Sequence, residues 1–161
     1  MIHCTTFLVA FALVPALGLA KTVYSDEFDY RYLKSTDQYF LGKTAAYISR
    51  ICDAGEHASN DDLAQCSHLK FNRTNAELKK KLNAVKSEIE RNDKALKADG
   101  EPLASPYFQK AQTAWVGYRD NECYSETYMM GEAAERYIFF WECMANISQS
   151  RAKELDDLLK D

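Results

Sequence analysis

The stretch Gln112–Cys123, which reads QTAWVGYRDNEC, carries the pattern that decides the fold. Apolar and aromatic side chains recur in and before it at spacings of three and four residues: Phe108, Ala111, Trp115 and Tyr118. This spacing is typical of one buried face of an α-helix. Ser105 can cap the free amides of such a helix, and Pro106 suits its first position, where no N–H is needed. The sequence therefore predicts a helix that begins near Pro106.

Three polar side chains lie beside this apolar stripe: Gln112, Arg119 and Asp120. Together with the aromatic residues and the cysteine they give the pattern Q-x-x-W-x-x-[FY]-R-D-x-x-C. This pattern resembles that of the LprI-type lysozyme-inhibitor domain family of bacterial envelope and secreted proteins. The residues that carry the resemblance are Gln112, Trp115, Tyr118, Arg119, Asp120 and Cys123.

A second block near the end of the chain agrees with this resemblance. It looks like the family's closing C-x3-[hydrophobic]-[ST]-x2-R-x2-E-L in six residues: Cys143, Ile147, Ser148, Arg151, Glu154 and Leu155. Cys52 and Cys66 look like the family's two early cysteines. Residues 21–50 have no counterpart in the family, and its Gly-rich link before the last cysteine is reduced to Gly131. We therefore expect a partly helical extension over residues 21–50 and an LprI-like helical domain over residues 51–161.

Composition and periodicity favour an all-α protein. Six Gly and three Pro among 161 residues supply few breakers for strands and tight turns. Helical patterns extend over four stretches: Thr36–Cys52, Asn72–Ala98, the stretch from Pro106, and Glu132–Leu159. Between them lie polar loops at Asp53–Asn60 and Gly100–Ser105, and one short turn is expected at Asp61–Cys66. We predict a small antiparallel bundle of long helices that is stapled by two disulfides.

The first 20 residues have the pattern of a secretory signal peptide. Phe7–Ala20 is an apolar run of fourteen residues, too short to cross a bilayer core of about 30 Å as a helix. It ends with small residues at Gly18 and Ala20, as a signal peptidase requires. The alternative is an uncleaved membrane anchor. We expect cleavage before Lys21 and a periplasmic or secreted protein without stable membrane insertion.

Four cysteines remain after such cleavage: Cys52, Cys66, Cys123 and Cys143. An even number in an oxidising compartment predicts two disulfides, for which three connectivities are possible. The short loops between them favour Cys52–Cys66 and Cys123–Cys143. The alternative is a metal site in which His57 and His68 join Cys52 and Cys66, but this spacing is not a recognised zinc framework. We expect neither a metal nor another cofactor.

Catalysis and nucleic-acid binding find little support in the sequence. No Gly-rich phosphate loop and no H-E-x-x-H motif occur. After residue 20 the histidines are His57 and His68, and neither has a Ser or free Cys at a triad spacing. The formal net charge of −4 arises entirely after residue 20 and should repel phosphate backbones. We predict a protein that binds another protein and is not an enzyme.

Two interpretations fit the polar motif residues. In the first, Gln112, Arg119, Asp120 and Arg151 form a hydrogen-bonded network between the last two helices, in which one arginine pairs with Asp120. In the second, these side chains form a surface that recognises a partner protein. Their alternation with large apolar residues favours the internal network. For the same reason we expect Trp115 and Trp141 in the core.

The family resemblance implies a lysozyme, or a related muramidase, as the class of partner. Many lysozymes are strongly basic, so an acidic partner gains association rate through electrostatic steering. Asp53–Asn60 and Asp99–Leu103 are acidic loops that could enter a substrate cleft. An immunity protein against a muramidase-like toxin follows the same logic. The alternative class is an envelope binding module or assembly factor without inhibitory activity.

Overall fold

The computed structural model describes residues 34–160, so the predicted signal peptide and the first part of the extension lie outside the described residues. Within residues 34–160 the regular elements are helices, and no strand occurs. They are α1 Thr36–Tyr39, α2 Ala45–Asp53, α3 Asn60–Ala98, α4 Ser105–Met129 and α5 Arg136–Asp157. The predicted all-α class with long helices is confirmed.

The three long helices form an up–down–up bundle. Short connections at residues 99–104 and 130–135 reverse the chain, so α4 runs antiparallel to both α3 and α5. The helices α3 and α5 therefore run parallel to each other. Two contacts fix this arrangement: the His68 ring stacks on Trp141, and further along both helices Lys81 forms an ion pair with Asp156.

The core consists of two apolar clusters along the bundle. The first surrounds one disulfide and contains Phe71, Cys123, Phe140, Trp141, Cys143, Met144 and Ala145. The second contains Leu78, Val85, Ala152 and Leu155, with Leu82, Ile89, Phe108 and Trp115 packed against it. Burying one large apolar side chain stabilises a fold by about 1.5–3 kcal/mol. Helix packing, more than helix propensity, therefore holds the bundle together.

The helix α3 begins at Asn60 and not at Asn72, so the prediction of a separate turn at Asp61–Cys66 is wrong. A capping box fixes the true start. The Ser59 hydroxyl accepts a hydrogen bond from the Asp62 amide at 3.1 Å, and the Asp62 carboxylate accepts one from the Ser59 amide at 3.0 Å. These two bonds satisfy amides that have no partner inside the helix.

Polar residues near the start of α3 interrupt the apolar periodicity from which a helix is predicted. Their side chains bind the segment that precedes the helix. The Gln65 side chain donates a hydrogen bond to the Lys34 carbonyl at 3.1 Å, and the Asn72 side chain donates one to Thr36 Oγ1 at 3.0 Å. Gln65 and Thr36 are buried. These side chains therefore hold α1 against α3.

The helix predicted over Thr36–Cys52 is interrupted. After the single turn of α1 the chain turns at Gly42, whose φ of 77° lies in the left-handed region that glycine adopts without steric cost. The second helix then starts behind Thr44, whose hydroxyl accepts a hydrogen bond from the Tyr47 amide at 3.1 Å. Ile51 of this helix is buried, whereas Ala46 is exposed.

The last helix also starts later than expected, at Arg136 and not at Glu132. The residues between α4 and α5 form turns that include Gly131, at a φ of 64°. The helix α5 ends at Asp157, two residues before the predicted end at Leu159. The helix α5 packs along both α3 and α4.

The start of α4 is capped from another helix and not by Ser105. Ala104 is the residue before the helix, and Ser105 and Pro106 are its first two residues. The carboxylate of Asp93, near the end of α3, accepts hydrogen bonds from the amides of Ala104 and Ser105, each at 2.9 Å. The prediction of a Ser105 cap is therefore wrong, because a side chain eleven residues upstream of Ala104 takes that role.

Candidate functional site

Two disulfides hold the half of the bundle where α2 joins α3. Cys52–Cys66 links α2 to α3 with a Cα–Cα distance of 5.2 Å, and Cys123–Cys143 links α4 to α5 at 5.6 Å. This is the pairing favoured by the short loops. The cysteines at positions 52 and 66 are thus not free thiolates, so the alternative metal site is ruled out at these residues. No cluster of three or more metal-ligating side chains occurs within residues 34–160.

The two histidines of the alternative metal site lie in different surroundings. His57 is exposed in the loop before α3, where its φ of 56° places it in the left-handed region. His68 lies between helices, with its ring stacked on Trp141 at a centroid distance of 3.7 Å. Burial lowers the pKa of His68. The structure therefore does not bring the histidines together for catalysis or metal binding.

Arg119 and Asp120, the centre of the motif, form an ion pair at the inner side of α4. Nε and Nη2 of Arg119 donate hydrogen bonds of 2.8 and 2.7 Å to the same oxygen, Asp120 Oδ1. The guanidinium also lies 5.5 Å from the ring centroid of Phe71 and 5.2 Å from that of Trp115. Only 8% of Arg119 is exposed. The cation is thus enclosed by one carboxylate and two aromatic rings.

Gln112 and Arg151 do not join this ion pair. Arg151 Nη1 donates a hydrogen bond of 2.6 Å to Glu154, one turn further along α5. The side-chain oxygen and nitrogen of Gln112 are buried, and neither has a hydrogen-bond partner within the described part of the chain. The same holds for the hydroxyl of Ser148 on α5. Among the four polar motif residues, direct hydrogen bonds therefore connect only Arg119 and Asp120 within the described part of the chain.

The inward side of α4 differs from the predicted stripe. Its buried residues step by four along the helix: Arg119, Cys123 and Thr127. Trp115 is half-buried on the same side and packs against the second core cluster. Tyr118, which we placed in the apolar stripe, is 56% exposed. Three motif residues, Trp115, Arg119 and Cys123, thus face the interior of the bundle. Tyr118 faces the solvent.

A wide groove of about 1110 Å³ separates the α1–α2 segment from α3 and α5. Its walls combine apolar side chains, such as Leu41 and Ile48, with the cationic residues Lys70 and Arg73 and the acidic residues Glu77 and Glu142. The Ser49 hydroxyl donates a hydrogen bond of 2.5 Å to the Asp53 carboxylate within the same groove. The groove therefore carries charges of both signs and no concentration of one charge.

The two acidic loops singled out from the sequence lie at opposite ends of the bundle. The loop Asp53–Asn60 joins α2 to α3 and meets the α4–α5 connection, where the Asn60 side chain donates a hydrogen bond to Glu135 at 3.4 Å. The loop Asp99–Leu103 is the reversal between α3 and α4 at the far end. One surface cannot contain both loops, so they represent two separate candidate contacts.

The model of the family called lysozyme inhibitor LprI matches residues 52–155. The chain belongs to the LprI family. A protein of Rhizobium meliloti (strain 1021), described as uncharacterized, is 27% identical over 110 residues, which cover 67% of this chain and 79% of the relative. No solved structure matches the chain significantly.

Membership of the LprI family supports a role like that of a lysozyme inhibitor, with a protein partner. The disulfides and the family together suggest an extracytoplasmic protein. Between residues 34 and 160 no helix is both long enough and apolar enough to span a bilayer. An inhibitor family also fits the prediction that the chain is not an enzyme.

Proposed function

We propose that this protein is a periplasmic or secreted inhibitor of a lysozyme or of a related peptidoglycan-degrading enzyme. The observation that carries the proposal is the match of the LprI family over residues 52–155. In this LprI chain that region folds as one disulfide-stapled bundle. Inhibition then depends on binding that blocks the partner's substrate cleft, and requires no chemistry from the LprI chain itself.

The rigidity of the bundle suits this role. An inhibitor binds tightly when little conformational freedom is lost on association. Here the loop Asp53–Asn60 is tied at one end by Cys52–Cys66 and at the other by the Ser59–Asp62 capping box. The partner therefore meets a loop whose shape is set before binding.

The net charge of −4 also favours a basic partner. Opposite charges raise the rate of encounter and make that rate depend on salt. Many muramidases are basic, because they work on anionic cell walls. Charge complementarity gives an acidic inhibitor a fast association without requiring a large apolar surface.

A turnover assay with the purified protein, disulfides intact, tests the proposal. Lysis of peptidoglycan suspensions by lysozymes of several types should slow in a dose-dependent way at micromolar inhibitor. A sample reduced and alkylated at its cysteines serves as the control and should not inhibit. Unchanged lysis by every lysozyme type at micromolar inhibitor would refute the proposal and favour a non-inhibitory envelope binding module.

A further inference from the structure

We propose that one end of the bundle is the surface that docks onto a basic muramidase, an inference that rests on the proposed function. We call this surface the acidic end. It comprises the loop between α2 and α3 and the turn between α4 and α5, with the adjoining helix ends. Its exposed residues are Asp53, Glu56, Asp61, Glu126, Tyr128, Met129, Glu132 and Glu135.

The topology assembles the acidic end from distant parts of the sequence. The start of α3 and the start of α5 lie side by side because the two helices run parallel. The hydrogen bond from the Asn60 side chain to Glu135 joins them directly at 3.4 Å, across 75 positions of sequence. The acidic α2–α3 loop and the acidic α4–α5 turn thus lie next to each other.

Charge at this end is predominantly negative. Neither segment 51–69 nor segment 120–135 contains a Lys or an Arg, whereas the two contain nine Asp and Glu residues together. The cation that follows, Arg136, is only 2% exposed. The exposed cations next to this end are Lys43 and Arg50, and they offset only part of the charge of nine acidic residues. By contrast, Arg91, Lys94, Lys97 and Lys110 accompany the acidic residues around the α3–α4 loop. The chain therefore concentrates its negative field at one end.

Two exposed apolar side chains lie within this charged region. Met129, at the last position of α4, is 86% exposed, and its neighbour Tyr128 is 44% exposed. Protein interfaces are enriched in Tyr and Met and usually surround such apolar anchors with a polar rim. The acidic residues supply the rim here, and their charge selects a basic partner.

The occupant is therefore a basic protein, and the lysozyme-like partner of the proposed function has that charge. A phosphate-rich ligand such as nucleic acid would be repelled. The acidic end also contains the rigid Asp53–Asn60 loop, which can reach into a cleft while the rim holds the enzyme's basic surface. The other acidic loop, Asp99–Leu103, lacks this excess of negative charge and serves as a natural comparison.

Paired charge reversals at the two ends provide the test. The variant Glu56→Lys/Glu126→Lys changes the acidic end, and Asp99→Lys/Glu101→Lys makes the same change in net charge at the far end. A third variant, Met129→Ser, removes the apolar anchor. All five side chains are exposed, so each variant should fold, as circular dichroism and thermal melts verify. Binding to a purified basic c-type lysozyme and inhibition of its turnover are measured for each variant.

We expect the acidic-end reversal to weaken binding at least about tenfold, mainly through a slower and less salt-dependent association. Met129→Ser should accelerate dissociation, and the far-end reversal should change binding less than about threefold. Full inhibition by the acidic-end variant would overturn the docking surface and leave the inhibitor function intact. Binding that requires the acidic end but does not slow turnover would support the surface and refute the inhibitor function. If the wild-type protein does not bind this lysozyme, the docking proposal fails.

Discussion

The carboxylate of Asp93 caps α4 through Ser105, although the two residues belong to different helices. It accepts a hydrogen bond from the Ser105 amide at 2.9 Å and one from the Ser105 hydroxyl at 2.5 Å. The Ala104 amide donates a third bond to the same carboxylate. These hydrogen bonds lower the pKa of Asp93, and the bond from the Ser105 hydroxyl has the largest effect. One buried carboxylate thus satisfies the amides at the start of α4.

Replacing this cap should destabilise the bundle. We predict that Asp93→Ala lowers Tm by several degrees, because two helix amides lose their acceptor and are left near the packed end of α3. Asp99→Ala, at an exposed residue six positions further along, is the matched control and should leave Tm nearly unchanged. Thermal melts at neutral pH check both. Equal Tm values for the two variants would contradict the capping role.

The same carboxylate should make stability depend on pH in the acidic range. Because the folded-state pKa of Asp93 is lowered, its contribution is complete above the unfolded value of about 3.9 and is lost as the pH falls through the folded pKa. Wild-type Tm should therefore fall below about pH 4 more steeply than that of Asp93→Asn. Parallel slopes for the two proteins would show that the carboxylate charge has no part in the cap.

His68 predicts a second pH effect with a window closer to neutrality. Burial against Trp141 lowers the pKa of His68, so the unfolded chain binds a proton that the folded chain refuses. Stability should decrease as the pH falls below the unfolded value of about 6.5. His68→Phe should remove this part of the slope between pH 7 and pH 5, and His57→Gln, at the exposed histidine, should keep it. Chemical denaturation at several pH values measures the difference.

We expect the two disulfides to stabilise different parts of the protein: Cys123–Cys143 the three-helix bundle, and Cys52–Cys66 the attachment of α2 to α3. Loops of 14 and 20 residues predict about 3 kcal/mol for each bond by the chain-entropy model. Replacing Cys123 and Cys143 by alanine also opens a cavity in the first core cluster. The free energy of unfolding of this variant should therefore fall by more than that of the Cys52–Cys66 double variant. The Cys52–Cys66 double variant should instead free α2, which limited proteolysis within Ala45–Asp53 would detect. Equal protease resistance of that variant and the wild type would contradict the second expectation.

Family membership, helical class and disulfide pairing were predictable from the sequence because each depends on local spacing. The inward side of α4 was not. Apolar periodicity selected Tyr118, whereas Cys123 must face α5 to bond Cys143, and a residue four positions before it must face the same way. That residue is Arg119, whose charge is satisfied by Asp120 and by aromatic rings from α3 and α4. Cysteine position is therefore a better guide to the rotation of this helix than hydrophobicity.

Contacts between distant helices explain the remaining differences. The start of α3 was missed because Gln65 and Asn72 interrupt the apolar pattern. Their side chains bind the segment that contains Lys34 and Thr36, which is distant in sequence. The α4 cap was misassigned because Asp93 acts across a loop. The acidic end could not be seen either, since only the parallel packing of α3 and α5 brings Asn60 to Glu135. Sequence periodicity describes one helix at a time and cannot report these pairings.

The ion pair at the centre of the motif gives a prediction that separates a structural role from recognition. Asp120→Ala leaves the Arg119 guanidinium nearly buried with only Phe71 and Trp115 beside it. We expect a loss of about 2 kcal/mol, less than for a fully buried pair because 27% of the Asp120 side chain is exposed. Asn121→Ala, at the exposed next position, is the control. Unchanged stability of Asp120→Ala with lost lysozyme binding would instead assign the pair to a partner surface.

Gln112 should behave in the opposite way, since it is a motif residue whose buried amide lacks a hydrogen-bond partner among residues 34–160. Burying an amide without a partner costs about 1–3 kcal/mol, and an apolar side chain of similar length avoids that cost. We therefore predict that Gln112→Met leaves Tm unchanged or raises it, whereas Gln109→Met, at an exposed site three residues earlier, changes little. Thermal melts of both variants measure the change. A clear destabilisation by Gln112→Met would mean that this amide is hydrogen-bonded in the folded protein.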